Sequence, residues 1–470
     1  MTIGFIINIL LAIYAYKKWK IGDRCMYFVV LQFLIFQTYK LELLQQTEVR
    51  SDDLALVLVV FTSLQSIGKV KISGTIGKTI LVFVVFVVVG MFVSLFFKGL
   101  PLIQIVKGAR AYFFCLSLYD VWLMKKTEIR KTIYYIFLLN MVFSVIFIMQ
   151  TFLPLHILLD TWDGTKTSNI GFLGIRRYYS FPPLIPFCCL YSIFLFPSNK
   201  RHKGMYIFIS FATLLLIQSR GMLMYTALLI MMAFIIFKAS PSNKLFYIAI
   251  SVVIALVVNA TVLSGDVGKR TDSDLSRITT GQISIENRPV GDATMSLRIW
   301  MLLVRNERLL EGNLMDKVFG LGYFAQINES KVRELGLEGI VCRYFNSDEF
   351  FMTTPDISYA NIIAYLGYVG AFIYMYILLS LLYFFYKFRK KDKYAQLGML
   401  YMLFLFATGL NGSAISTPTC LLIPFLFMRL VYFEVQPYVK DKKIGFVSPA
   451  RRYEARKNGC TVSTQFRAIF

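Results

Sequence analysis

Apolar residues along this chain gather into blocks instead of alternating with polar ones. The blocks fall at about 2–16, 25–39, 53–67, 79–97, 108–124, 131–153, 181–197, 204–219, 221–238, 244–264, 357–386, 395–412 and 418–433. Many approach the roughly 20 residues a helix needs to cross about 30 Å of hydrocarbon. The polar-apolar alternation of an outer-membrane barrel strand is missing, so the pattern predicts spanning helices. Blocks 2–16 and 53–67 are marginal in length, which sets the expectation at about 11 to 13 helices. The chain then divides into N-terminal helices (1–264), one large polar loop (265–356), C-terminal helices (357–433) and a basic, aperiodic tail (434–470). The tail is expected to be disordered and to lie on anionic lipid. The first block begins almost at Met1 without a preceding basic stretch, and reads as a retained helix, not a cleaved signal.

Composition sharpens this into an all-α polytopic integral membrane protein. Of the 470 residues, 57% are apolar and 16% charged, against about a quarter charged in soluble domains. The net charge of +23 raises the question of nucleic acid, and its distribution answers it. Acidic residues match or exceed basic ones in the long loop. The excess lies in the connections Lys17–Arg24, Lys125–Lys131, Lys200–Lys203 and Lys387–Lys393, and in the tail from Lys440 to Arg467. Alternation places all of these on one side, which is the positive-inside signature of a cytoplasmic face. No nucleic-acid partner is expected. The loops at about 154–180, 265–356 and 413–417 then face outside. Cys115, Cys188, Cys189 and Cys420 fall in apolar blocks, Cys25 and Cys460 on the cytoplasmic side and only Cys342 in the long loop, so no disulfide framework is suggested.

Candidate chemistry gathers on the outer side. Ser219-Arg220-Gly221 is wedged between two apolar blocks. It reads either as a tight turn with a snorkelling arginine or as a guanidinium clamp for phosphate oxygens. Arg176 and Arg177 precede a Tyr-Tyr-Ser-Phe-Pro-Pro helix entry. Within the long loop, Met295–Leu310 places Leu297, Trp300, Met301 and Val304 at helical spacing, with Arg298, Arg305 and Arg308 interleaved. This predicts an amphipathic helix along the membrane surface. The arginines read as interfacial anchors singly and as an anion pocket if they converge. The turn Phe319-Gly320-Leu321-Gly322-Tyr323 closes that region. Asp356 opens a helix that runs through Tyr359 and Asn361, either as an N-cap or as a base for a sugar hydroxyl. The two histidines, His156 and His202, are far apart, and neither metal-ligand spacing nor a Walker loop occurs, so no metal or other cofactor is expected.

In their order these features resemble the bacterial O-antigen polymerase and O-antigen ligase superfamily. The likeness rests on Arg177-x-x-Ser180-Phe181-x-Pro183, Ser219-Arg220-Gly221, the late loop with Arg298 and Trp300, the turn containing Gly320 and Gly322, and a polar residue eleven positions before Gly367 of Gly367-Tyr-Val-Gly370. It covers about Arg176 to Tyr386. The resemblance implies a fold related to C-type membrane glycosyltransferases in the bacterial inner membrane, with the large loop periplasmic and the C-terminus cytoplasmic. It implies metal-independent transfer of a glycan from undecaprenyl pyrophosphate to an acceptor sugar hydroxyl. Arg177, Arg220 and Arg298 would hold the pyrophosphate and Asp356 would act as the base. Arg176, Ser219, Trp300, Gly320, Gly322 and Tyr359 would support them. Partners to expect are the lipid-linked oligosaccharide, membrane lipid, a chain-length regulator and a flippase. Ligases usually carry His where this chain has Asp356, which favours a capsular or O-antigen repeat-unit polymerase over a ligase acting on a lipopolysaccharide core. A transporter such as a lipid-linked oligosaccharide flippase is the reading from another class; no internal repeat of the kind common in transporters is evident here.

Overall fold

In a computed structural model, the described residues are 3–36, 51–70, 72, 75–153, 158, 181–197, 201–217, 219–236, 295–324, 340–343, 349–352, 357–410, 412, 415 and 418–444. All statements below concern these residues. Arg176, Arg177, His156, Asp356, Cys460, the apolar block 244–264 and the chain beyond 444 lie outside them.

The first ten helices are α1 (Ile3–Lys20), α2 (Arg24–Phe36), α3 (Ser51–Ile67), α4 (Ile76–Phe96), α5 (Leu102–Ala109), α6 (Ser117–Trp122), α7 (Lys126–Phe152), α8 (Ile185–Leu190), α9 (Lys203–Leu216) and α10 (Arg220–Ile236). The long loop contributes α11 (Met295–Glu311), α12 (Leu314–Phe319) and the strands β1 (Ile340–Arg343) and β2 (Glu349–Met352). Helices α13 (Ser358–Phe388), α14 (Lys393–Thr408) and α15 (Leu422–Ile444) follow. The strands form an antiparallel hairpin with Cys342 opposite Phe350. The hydropathy pattern did not anticipate it, although β-branched or aromatic residues make up half of each run.

Three helices are long and apolar enough to cross a membrane by length and composition: α4, α7 and α13. Four further apolar helices are shorter. The outward faces of two of these helices suit lipid. Val82, Val85, Val89, Phe92 and Phe96 line one face of α4, and Val369, Phe372, Tyr376, Leu379 and Tyr383 one face of α13, all of them exposed. Apolar stripes at helical spacing on the outside of a bundle would form a large patch in water and suit hydrocarbon.

Several expected single spans are broken. The block at 108–124 begins earlier, as α5, tightens into a 3-10 stretch (Arg110–Leu116) and relaxes into α6. Gly108 lets this backbone approach Tyr323, where an added Cβ would sit 3.1 Å from the Tyr323 carbonyl carbon. Arg110 is pinned to Asp53 and lies 4.0 Å from Asp52 at the start of α3. The tighter winding carries Tyr112, Phe114 and Cys115 into the core. The block at 181–197 is likewise split into α8 and a π turn, Tyr191–Leu195. Buried Asn140 of α7 holds the entry to α8, accepting from Leu184 N at 3.3 Å and donating to Cys188 Sγ at 3.2 Å. Helix α13 runs for 31 residues but bends at Gly367, whose φ of 63° and ψ of −172° are not helical. At the other end of the chain, α15 continues to Ile444, past the Phe433 boundary that polarity suggested. Lys126 and Arg130 of α7 hold Glu434 at 2.8 and 2.6 Å, and Val435 is buried, so this part of the expected tail is helix.

The core is aromatic. Phe83 of α4 stacks on Tyr374 of α13 at 5.3 Å, and Tyr112 meets both edge-on. Charges collect at the two ends of the bundle. At one end Lys18 pairs with Asp23 and Glu434 with Lys126 and Arg130, while Asp392, which caps α14, feels both Arg130 and Glu434. The opposite end carries Arg110 with Asp53, Lys98 with Asp316, and the junction of the long loop with α13.

Candidate functional site

The candidate residues that fall among the described ones sit at that opposite end, and glycine geometry decides how the long loop reaches them. After α12 the chain turns through Gly320 and Gly322, with φ of 80° and 108°. Gly320 lies against the bend of α13. A Cβ there would approach Ala364 O to 2.5 Å, and one at Gly367 would approach Gly320 N to 2.5 Å. Leu321 N donates to Ala364 O at 2.6 Å across this contact. Tyr323 then drops its ring into the core beside Gly90 and Gly108, and its N–H donates to Ser94 Oγ at 3.2 Å. Gly320, expected as a supporting site residue, therefore lets two backbones touch, while Gly322, expected in the same role, turns the chain beneath the side chains of Leu100, Lys98 and Ser94.

Helix α11 packs on α13, with Trp300, Met301 and Val304 buried. The Tyr368 hydroxyl donates to Asn306 Oδ1 at 2.9 Å. The helix thus lies on another helix, a contact that the amphipathic pattern alone did not specify. Arg305, one of the interleaved arginines, is 2% exposed, and its Nη1 donates to Met301 O at 3.1 Å. Burial pulls its pKa down to about 10, so it remains a cation at neutral pH. It acts electrostatically on Tyr365 of α13.

Arg298 lies two turns earlier on the same face of α11. Its charge acts on Tyr225, little more than one turn along α10 from Arg220. Arg298 is thus within electrostatic reach of the helix that Arg220 opens. Ser219 is half-buried at the entry to α10, where its carbonyl accepts from Leu223 N at 2.9 Å. Trp300, 6% exposed, packs with Met301 and Val304.

The start of α13, which follows Asp356 by two residues, is anchored with care. Ser358 N donates to Gly409 O at 2.9 Å, and its hydroxyl donates to Gly412 O at 2.6 Å while accepting from Ile415 N at 3.2 Å. Tyr359 gives its hydroxyl to Phe406 O at 3.0 Å. Tyr359 is accordingly an anchor between α13 and α14. The segment after Asp356 is fixed at both ends, by α14 below and by the Gly320–Gly367 contact above.

Two polar residues escaped the sequence reading. Lys98 donates to Gly320 O and lies 2.5 Å from Asp316 Oδ1; nothing in its local sequence marks it. Asp120 is fully buried and accepts from Trp19 Nε1 (3.2 Å), Ser66 Oγ (2.6 Å), Thr62 Oγ1 (2.6 Å) and Ser63 Oγ (2.9 Å). A lone acidic residue in an apolar block was the available signal for it. Among the described residues no group of three or more His, Cys, Asp or Glu side chains is placed to hold a metal ion. Chemically, this end of the bundle offers guanidinium groups on a docked helix, suited to an anion, beside a rigidly held helix start. No protein-family model matches the chain and no curated protein matches it by sequence, so its functional reading is built on these residues.

Proposed function

We propose that the chain is a polysaccharide repeat-unit polymerase of the bacterial inner membrane. It would transfer a glycan from undecaprenyl pyrophosphate to the sugar hydroxyl of a second lipid-linked repeat at the periplasmic face. The observation that carries this reading is the docking of α11 on α13, with Arg298 in electrostatic reach of the helix that Arg220 opens. The proposal includes the many-span arrangement, of about 11 to 13 crossings related to C-type membrane glycosyltransferases. In it the broken pairs α5–α6 and α8 with its π turn act as composite spans. The basic end is cytoplasmic and the long loop periplasmic.

In the reaction the acceptor oxygen attacks the anomeric carbon of the donor while the bond from that carbon to the pyrophosphate breaks. Asp356 takes the hydroxyl proton. Arg177, Arg220 and Arg298 meet the charge that grows on the departing undecaprenyl pyrophosphate. A single well-placed donor contributes about 3 kcal/mol to such a step, and a planar guanidinium suits two phosphate oxygens better than a lysine does.

Complementation of a deletion strain tests this. The deletion is expected to leave single repeats on the lipid anchor. Asp356→Asn and Arg220→Ala should abolish polymer although the protein still inserts. Arg298→Ala should lower transfer by about 10²- to 10³-fold, with Arg298→Lys restoring part of it. Unattached polymer in the deletion strain would instead mark a ligase, and repeats stalled on the cytoplasmic side a flippase. Normal long-chain product from Asp356→Asn would remove that residue from the mechanism.

A further inference from the structure

One side chain from beyond the end of α4 holds the turn that joins α12 to the bundle. The methylene stem of Lys98 lies over Gly322, where an added Cβ would sit 3.2 Å from Lys98 Cδ. Its ammonium group is 2.5 Å from Asp316 Oδ1 and also donates to the Gly320 carbonyl. Asp316 has a second task. Its Oδ2 accepts from Asn313 N at 3.1 Å, and its own N–H donates to Asn313 Oδ1 at 2.9 Å. This closes a capping box at the start of α12. One carboxylate therefore fixes the first turn of α12 with one oxygen and takes Lys98 with the other. Gly320, held from its carbonyl side by Lys98, is the residue pressed into the bend of α13. Lys98 thus touches α12, which follows and packs on the Arg298-bearing α11, and, through Gly320, the short half of α13 that follows Asp356.

A cation near a candidate pyrophosphate site invites a role as a ligand. The geometry argues against that for Lys98. Its side chain is 11% exposed, and two of the three hydrogens an ammonium carries are directed at Asp316 and Gly320.

We propose that Lys98 is a positioning residue of the candidate site, a clasp that sets where Arg298 stands relative to the helix start after Asp356. Its consequence for transfer rests on the polymerase reading, whereas its geometry does not. Positioning of this kind is worth on the order of 10- to 100-fold in rate or apparent affinity, because reacting groups displaced by about 1 Å lose their alignment.

The test uses the full chain, purified and reconstituted, as wild type, Lys98→Met, Lys98→Arg and Asp316→Asn. Spin labels at Phe92 of α4 and Leu310 of α11, both exposed, report the docking distance without reference to activity. A narrow distribution is expected in wild type and Lys98→Arg, and a broadened or shifted one in Lys98→Met and, more mildly, in Asp316→Asn. Identical distributions in wild type and Lys98→Met overturn the clasp. In a transfer assay with a lipid-linked repeat, Lys98→Met should raise KM by on the order of 10- to 100-fold, and Lys98→Arg should restore it. Loss of active protein at unchanged KM would show a role in folding alone and overturn the positioning claim. Should Lys98→Met not fold, Asp316→Asn carries both measurements. If wild type performs no transfer, the polymerase reading fails by itself, and the distance measurement still decides whether Lys98 is a clasp.

Discussion

At Gly320 and Gly367 the demand for glycine is conformational and steric at once. Gly320 has φ 80° and ψ −174°, and Gly367 has φ 63° and ψ −172°, a region that essentially only glycine occupies. The atoms an added Cβ would strike are backbone, Ala364 O at 2.5 Å from Gly320 and Gly320 N at 2.5 Å from Gly367, and backbone cannot swing aside. Strain of about 1–3 kcal/mol per position then adds to a clash, so Gly320→Ala and Gly367→Ala should each lower the melting temperature sharply or prevent folding. Gly322→Ala should be milder, because its nearest neighbour is Leu100 Cδ1 at 2.8 Å, the far end of a flexible side chain. Thermal melts of the three variants in one detergent check the order. A Gly320→Ala protein that melts like wild type would mean that the two backbones do not touch. The glycine-rich turn was legible in the sequence as a turn. Its partner was not, because no local pattern ties Gly320 to a bend in a distant apolar helix.

At the scale of elements, Asp120 joins four helices. Trp19 comes from α1 and Thr62, Ser63 and Ser66 from α3, while Tyr27 of α2 is 2.8 Å from Thr62. The donors are not equally dependent on it. Thr62 and Ser66 also lie 2.8 and 2.9 Å from the carbonyls of Leu58 and Thr62, one turn back, so they have an alternative acceptor. Trp19 and Ser63 would be left without one. An orphaned buried donor costs about 1–3 kcal/mol, so Asp120→Ala should destabilise the bundle by about 2–6 kcal/mol. Trp19→Phe, which removes a donor and leaves Asp120 three others, should cost far less. Chemical or thermal unfolding of the two variants measures the difference, and equal losses would refute this division of roles. The same scale shows what periodicity could and could not supply. It placed α4, α7 and α11 to within a few residues. It named Arg305 only as one of the interleaved arginines, although its spacing from Met301 puts both on one helical face. It also drew the blocks at 108–124 and 181–197 as single helices, since hydropathy is blind to a 3-10 or π turn that rearranges hydrogen bonds without changing the apolar content.

For the whole molecule, the open question is which way it faces, and the charges supply a sharp expectation. Lys126, Arg130, Asp392 and Glu434 lie together, so the connections they mark share one end of the bundle. Basic residues outnumber acidic ones in those connections, and short basic connections stay on the cytoplasmic side because moving cations across the membrane is opposed. The end where Lys98 meets Asp316 and Arg110 meets Asp53 is then expected to face outward, carrying α11, α12 and the start of α13 with it. Reporter fusions resolve this in living cells. Alkaline phosphatase joined within the long loop should be active and a fluorescent protein joined there dark, with the opposite result at the 387–393 connection and after α15. Removing the basic residues of 125–131 should weaken that preference, since orientation follows lysine and arginine more than net charge. Were the loop fusion fluorescent, the candidate site would sit in the cytoplasm. A donor presented at the periplasmic face would then be out of reach, and the polymerase reading would fall with the orientation.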